Sequence, residues 1–155
     1  MPCGPGGPQH DYVPFFFAPR PPMFYTIHKG NVRDARQNQI LHLVSSVERV
    51  AASGCIYVST DGHTIMAFTE FFDDANDLDK VDWGVMQLRY WYDTRERPDR
   101  KRQRQGEFLA HRFVRWEAVE EIGVENDRIR TNVQLLLRDR PHQPLVRIRR
   151  DWYYY

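Results

Sequence analysis

Apolar positions along the chain fall into short runs, each broken by Pro, Gly or a block of charge, and the period within each run predicts its element. The opening MPCGPGGPQ is too rich in Pro and Gly for an element and reads as a loop. DYVPFFFA (11–18) is aromatic and β-prone, and Pro14, which removes a ladder donor, favours an edge position or a bulge. In PRPPMFYTIHKG (19–30) a proline stands at a helix start and Gly30 follows its end, predicting a short helix. QILHLVSS (39–46) reads as a buried strand running into SVERVAASG, where Ser46 caps a helix that Gly54 stops. CIYVSTDG is a further strand ending in an Asp-Gly turn. The predicted order to this point is β, α, β, α, β.

The second half alternates differently. In VDWGVMQLRYW, Val85, Leu88 and Tyr92 stand at helical spacing. EFLAHRFV reads as a strand that places Glu107, Leu109, His111 and Phe113 on one face. WEAVEEIGV and ENDRIRTNVQLLLRD read as helical at least in part, LVRIRRDW as a final strand, and no internal repeat is present. Two charge blocks lie between: residues 70–82 carry six acidic side chains against one basic, and residues 95–105 carry six basic against two acidic. The first reads as a solvated block; the second is a local basic patch.

Composition narrows the class. At 155 residues, 41% hydrophobic and 14% aromatic, the chain has material for one core and one domain. A formal net charge of +1 argues against a generally basic nucleic-acid binder, so a polyanion would have to be held by the local patch. Cys3 and Cys55 are too few and too far apart for a disulfide framework or a thiolate metal site, which suits a reducing cytoplasm. The six histidines show no ligand spacing, so no metal is expected. No apolar run approaches a membrane span or a signal peptide.

One carboxylate stands out. Glu107 opens an apolar strand directly after the basic RKRQRQ stretch, although Glu is a poor first residue for a strand. Two readings are open. In the first it pairs with Arg102, Arg104 or Arg112 as an ordinary surface ion pair. In the second, an acid at a strand mouth stabilises a developing cation. The basic side chains Arg100, Lys101, Arg102 and Arg104 would then grip phosphate, and aromatics would stack on bases.

The stretches DYVPFFFAPRPPMFYTIHKGN, HLVSSVERV, TDGHT, FFDDANDLDKVDW, RYWYDTRERPDRKRQRQGEFLAHRFVRW and RRDWYY closely resemble the DarT family of DNA ADP-ribosyltransferase toxins. The likeness runs from about Gly6 to the C-terminus, far more than a single motif. It implies an α+β ADP-ribosyltransferase fold with a split, mostly antiparallel central sheet. The implied reaction passes ADP-ribose from NAD, as co-substrate and without a metal, to a thymine base of single-stranded DNA. The implied partners are that DNA and a macrodomain antitoxin, with the enzyme acting as a cytoplasmic monomer off the membrane.

The family's RQxEFL motif places its catalytic glutamate at Glu107, which would stabilise the oxocarbenium ribose and accept the thymine N3 proton. FAPRPPM resembles the DNA-contacting segment and makes Arg20 and Met23 candidates for DNA contact, with solvated Arg and core Met as the plain alternatives. His63 in TDGHT is a further DNA candidate, or simply an exposed turn histidine. Tyr12, Phe16 and Phe17 would line the nicotinamide side of the cleft, or form core. In such enzymes the loop before the acid-bearing strand recognises the acceptor, here the stretch from His63 to Gly106. Family members carry an N-terminal segment ahead of DYVPF that supplies part of the NAD site, and this sequence has no counterpart, so residues 1–155 are expected to form one N-terminally incomplete domain. That departure keeps a second class open, a single-stranded DNA-binding relative without a complete NAD site.

Overall fold

Strand β5, Glu107–His111, is buried on both faces because it has a strand on each side and packed side chains above and below. The computed structural model describes residues 1–155. On one side β5 pairs antiparallel with β1, Tyr12–Phe16, in a register that sets Phe16 opposite Glu107 and Tyr12 opposite His111. On the other it pairs with β3, Tyr57–Thr60, which carries the two-residue β4, Phe71–Phe72, at its far edge. β1 is an edge strand, which is why Pro14 is tolerated there. Both predicted short helices are present. Helix α1, Pro22–His28, starts on a proline, and α2, Val47–Ala52, is capped by the Ser46 hydroxyl, which accepts the Arg49 N–H at 3.2 Å. Gly30 and Gly54 follow them with positive φ of 74° and 79°, a backbone that side chains resist.

A second sheet completes the split. β2, His42–Val44, runs antiparallel to β6, Glu121–Val124, which runs parallel to β7, Leu145–Ile148, through the crossover helix α5, Asp127–Leu137. This narrows the helical reading of WEAVEEIGV to a single 3-10 turn, Trp116–Ala118, with the rest leading into β6. The segment's acids suggest a helix, but Glu121 is buried in a central strand where Arg149 donates to both its oxygens at 2.6 and 2.9 Å. Val50 of α2, Phe108 and Ala110 of β5 and Ala118 pack together on one face of the first sheet. Tyr12, Val58 and Leu109 pack on the opposite face of the first sheet.

Two further expectations change. The helix around Val85 stops at Gln87, so Leu88 and Tyr92 do not extend it; α3 is Trp83–Gln87. Its end is fixed from outside, because the Arg104 guanidinium donates to the carbonyls of Val85, Met86 and Leu88 at 2.8, 2.6 and 3.1 Å. Phe113 leaves the face of Glu107 because Arg112, with φ of 66°, turns the chain as β5 ends. The connection from β3 to β4 is a ten-residue loop, 61–70, and no two-residue hairpin. Within the basic block Arg100–Gln103 form one turn of helix, α4.

Candidate active site

Glu107 is 4% exposed, and no basic side chain lies within ion-pairing distance of it. The surface ion pair with Arg102, Arg104 or Arg112 does not form. The residue is held by its neighbours on β3 and in the turn that follows. Its main-chain N–H donates to the Thr60 hydroxyl at 3.0 Å, and that hydroxyl donates to the Gly62 carbonyl at 2.7 Å. Carboxylate oxygen Oε2 accepts the main-chain N–H of Thr64 at 3.4 Å, while Oε1 has no donor. The buried Thr64 hydroxyl lies beside the same carboxylate, close enough to favour its charge but outside hydrogen-bonding geometry.

Burial pushes the Glu107 carboxyl above its ordinary range, and the charge of His63 and the Thr64 groups pull it partly back. A group so placed is a stronger proton acceptor than an exposed glutamate, and its negative charge acts with little competing solvation.

The other candidate residues divide sharply. Phe16 is the cross-strand partner of Glu107 and so shares its face. Phe17 lies one residue on and packs edge-on against Trp83, with ring centroids 5.4 Å apart. Both border an apolar cavity of about 760 Å³ between the edges of β1 and β2, together with Met23, Leu43 and Trp83. Tyr12 is four residues back along β1, about 13 Å from Phe16 at the usual strand rise. It is buried, with its hydroxyl donating to the Gly6 carbonyl at 2.7 Å. Alternation puts Tyr12 on the same face as Phe16, and the register with β5 puts it at the opposite end from Glu107.

The basic block divides the same way. Arg104 is 2% exposed and spends its guanidinium on main-chain carbonyls, including that of Arg20 at 3.4 Å. Arg102 is clamped by Asp61 and Asp99. Lys101 faces outward and Arg100 is half-buried. The inward turn of Arg102 and Arg104 was invisible in the sequence, where all four read as one cluster. Arg20 lies flat against Tyr154, its guanidinium carbon 4.1 Å from the ring centroid, and has no carboxylate partner. Met23 is exposed on the first turn of α1. Thr60, Asp61 and Thr64 carried only the signal of an Asp-Gly turn, yet they form the support of Glu107.

Beyond His63 the loop turns outward, and Ile65, Met66 and Phe68 stand in solvent, Phe68 at 87% exposure. Tyr90 and Tyr92 are exposed on the segment before the basic block. Among all residues no group of three or more His, Cys, Asp or Glu side chains is arranged to hold a metal ion.

A split sheet whose central strand opens on a buried acid with no ion-pair partner agrees with the ADP-ribosyltransferase fold that the resemblance implies. The family of single-stranded DNA thymidine ADP-ribosyltransferases, DarT, matches residues 1–154. A DNA ADP-ribosyl transferase of Thermus aquaticus is 43% identical over 157 residues, covering 99% of this chain and 68% of the relative. Two solved structures of the DarT of Thermus sp. 2.9 superpose with a TM-score of 0.92 at 39% identity over 99% of this chain. One is in complex with ADP-ribosylated single-stranded DNA, where 74% of that chain is covered, and the other with NAD+, where 78% is covered. The chain belongs to the DarT family, and by that membership is an NAD-dependent DNA ADP-ribosyltransferase.

Proposed function

We propose that the chain transfers ADP-ribose from NAD to a thymine base in single-stranded DNA, releasing nicotinamide, and that residues 1–155 work as one catalytic domain. The observation that carries this reading is the carboxylate of Glu107, buried, held by one oxygen and without a cation of its own. That is a fit for a substrate bringing both a hydroxyl and positive charge. NAD supplies the ADP-ribosyl group, with positive charge growing on its ribose as the bond to nicotinamide breaks. Glu107 Oε1 accepts a ribose hydroxyl, its charge opposes the developing cation, and its raised proton affinity equips it to take the thymine N3 proton. Phe16 and Phe17 wall the nicotinamide side, while Tyr12 acts as core beneath the strand.

For the DNA, Arg20 and Met23 on one rim and His63 on the other meet the target nucleotide. Phe68, Tyr90 and Tyr92 offer faces on which flanking bases stack, and Arg100 and Lys101 neutralise phosphate. Arg102 and Arg104 support this surface without touching the strand. The complexes of the Thermus sp. 2.9 protein with NAD+ and with ADP-ribosylated single-stranded DNA support both substrates. On the family resemblance we further propose a cytoplasmic toxin that acts as a monomer and is countered by a macrodomain antitoxin; no helix is long and apolar enough to cross a membrane.

The test offers the 155-residue chain adenine-labelled NAD and single-stranded oligonucleotides differing only in thymine content. Label is expected on thymine-containing strands alone. Equal labelling of thymine-free strands overturns the acceptor, and retention of DNA without transfer places the chain among binding-only relatives.

A further inference from the structure

Arg102 is the most heavily engaged side chain near Glu107 that the mechanism does not use. Nη1 and Nη2 donate to the two oxygens of Asp61 at 3.0 and 2.9 Å. Nε and Nη2 reach Asp99 at 2.9 and 2.7 Å. One planar cation therefore joins two elements. Asp61 directly follows β3, and its Oδ1 also accepts the main-chain N–H of Glu70 at 2.8 Å, so the carboxylate closes the loop 61–70 at both ends. Asp99 precedes α4, the turn of helix that leads into β5. Within the loop the Thr69 hydroxyl donates to the His63 carbonyl at 2.7 Å, which fixes the turn carrying His63 and Thr64.

Gly62 confirms how tightly this is built. A Cβ there would collide with Arg102 Nη1 and stand 2.9 Å from its Cγ, so the Arg102 side chain occupies the space another side chain would need. Two carboxylates already neutralise the same cation and leave the cluster net negative, which opposes a phosphate contact.

We propose that Arg102 is a positioning residue for the transfer: by clamping Asp61 to Asp99 it holds the 61–64 turn so that the Thr64 N–H and His63 stay against Glu107. This rests on Glu107 being the catalytic acid. The guanidinium fork is essential to the role, because a lysine ammonium cannot span two carboxylates with paired hydrogen bonds. Losing the clamp frees the turn without removing any group that touches a substrate, and a displacement of about 1 Å at a catalytic group costs up to about 100-fold in rate.

The experiment compares wild type with Arg102→Gln, Arg102→Lys and Gly62→Ala in the NAD-to-oligonucleotide assay, with amide exchange at Thr64 followed in parallel. In Arg102→Gln, kcat is expected to fall about 10- to 100-fold with KM for the oligonucleotide changed less than about two-fold. The acid limb of its pH profile should move to higher pH, because a withdrawn Thr64 N–H no longer favours the carboxylate. Thr64 exchange should quicken, and lysine should restore only part of the rate. Gly62→Ala keeps every charge and displaces the guanidinium, so it should reproduce the effect if Arg102→Gln fails to fold. An unmoved pH limb and unchanged Thr64 exchange overturn the proposal, as does a loss confined to KM for DNA, which would make Arg102 a phosphate contact. If wild type transfers nothing, the catalytic reading and the role of Arg102 fall together; an active wild type with unaltered variants sinks Arg102 alone.

Discussion

Replacing Arg104 with methionine keeps the volume of a long side chain and removes four hydrogen bonds at once. The carbonyl of Met86 then has no donor, and that of Val85 keeps only the Leu88 N–H. The carbonyls of Leu88 and Arg20 lie nearer the surface and can be hydrated. One buried carbonyl left bare costs about 1–3 kcal/mol, and the partly satisfied Val85 carbonyl adds less. Against this stands the relief of a desolvated cation, since burial lowers the proton affinity of Arg104 and the charge of Arg20 adds to the penalty. Main-chain carbonyls cannot be exchanged for apolar groups, so the loss wins and the net effect is about 2–3 kcal/mol of destabilisation. For a domain near 150 residues each kcal/mol shifts Tm by about 2–4 °C, giving a fall of about 5–10 °C. Thermal unfolding followed by circular dichroism measures it. Melting of Arg104→Met within about 2 °C of wild type would falsify the internal role and return Arg104 to the phosphate-binding surface.

Three other substitutions probe the site. Glu107→Gln should cut transfer by about 10²- to 10⁴-fold in the labelling assay, a variant near wild-type rate removing Glu107 from catalysis. The same variant should melt higher than wild type near neutral pH and equally near pH 4. A carboxyl raised in the fold contributes its stability below its unfolded value and loses it as pH rises, whereas Gln has nothing to lose. A melting difference that grows towards low pH contradicts this. Lys101→Ser should leave Tm unchanged and lower the slope of log affinity against log salt for single-stranded DNA by about 0.7, the value for one phosphate contact; an unaltered slope marks Lys101 as bystander. Phe68→Ala should weaken DNA binding by about 1–3 kcal/mol in a fluorescence titration, the value of one stacked base, while unaffected affinity would place the strand elsewhere.

Local order determined much of this molecule. The prolines before α1, the Ser46 cap, the glycines that close α1 and α2 and the edge position of Pro14 follow from groups within a few residues, and they are where the sequence puts them. The RQGEFL motif singled out Glu107 for the same reason, since an acid at the mouth of an apolar strand is a local anomaly. Partnership across the chain is another matter. Tyr12 and Phe16 share a face by alternation, but only the register with β5 sets one beside Glu107 and the other at the far end. Arg100, Lys101, Arg102 and Arg104 look alike in sequence; contact with Asp61 and with the end of α3 turns Arg102 and Arg104 inward and leaves Lys101 in solvent. Glu121 sits in a strand against its own helical surroundings because Arg149 and the strands on either side outweigh a propensity of tenths of a kcal/mol, on the usual scale of about 0–0.7. Propensity and capping act between neighbours in sequence, whereas burial, register and charge pairing depend on residues far apart along the chain, 41 positions for Asp61 and Arg102 and 134 for Arg20 and Tyr154, and those only the folded chain brings together.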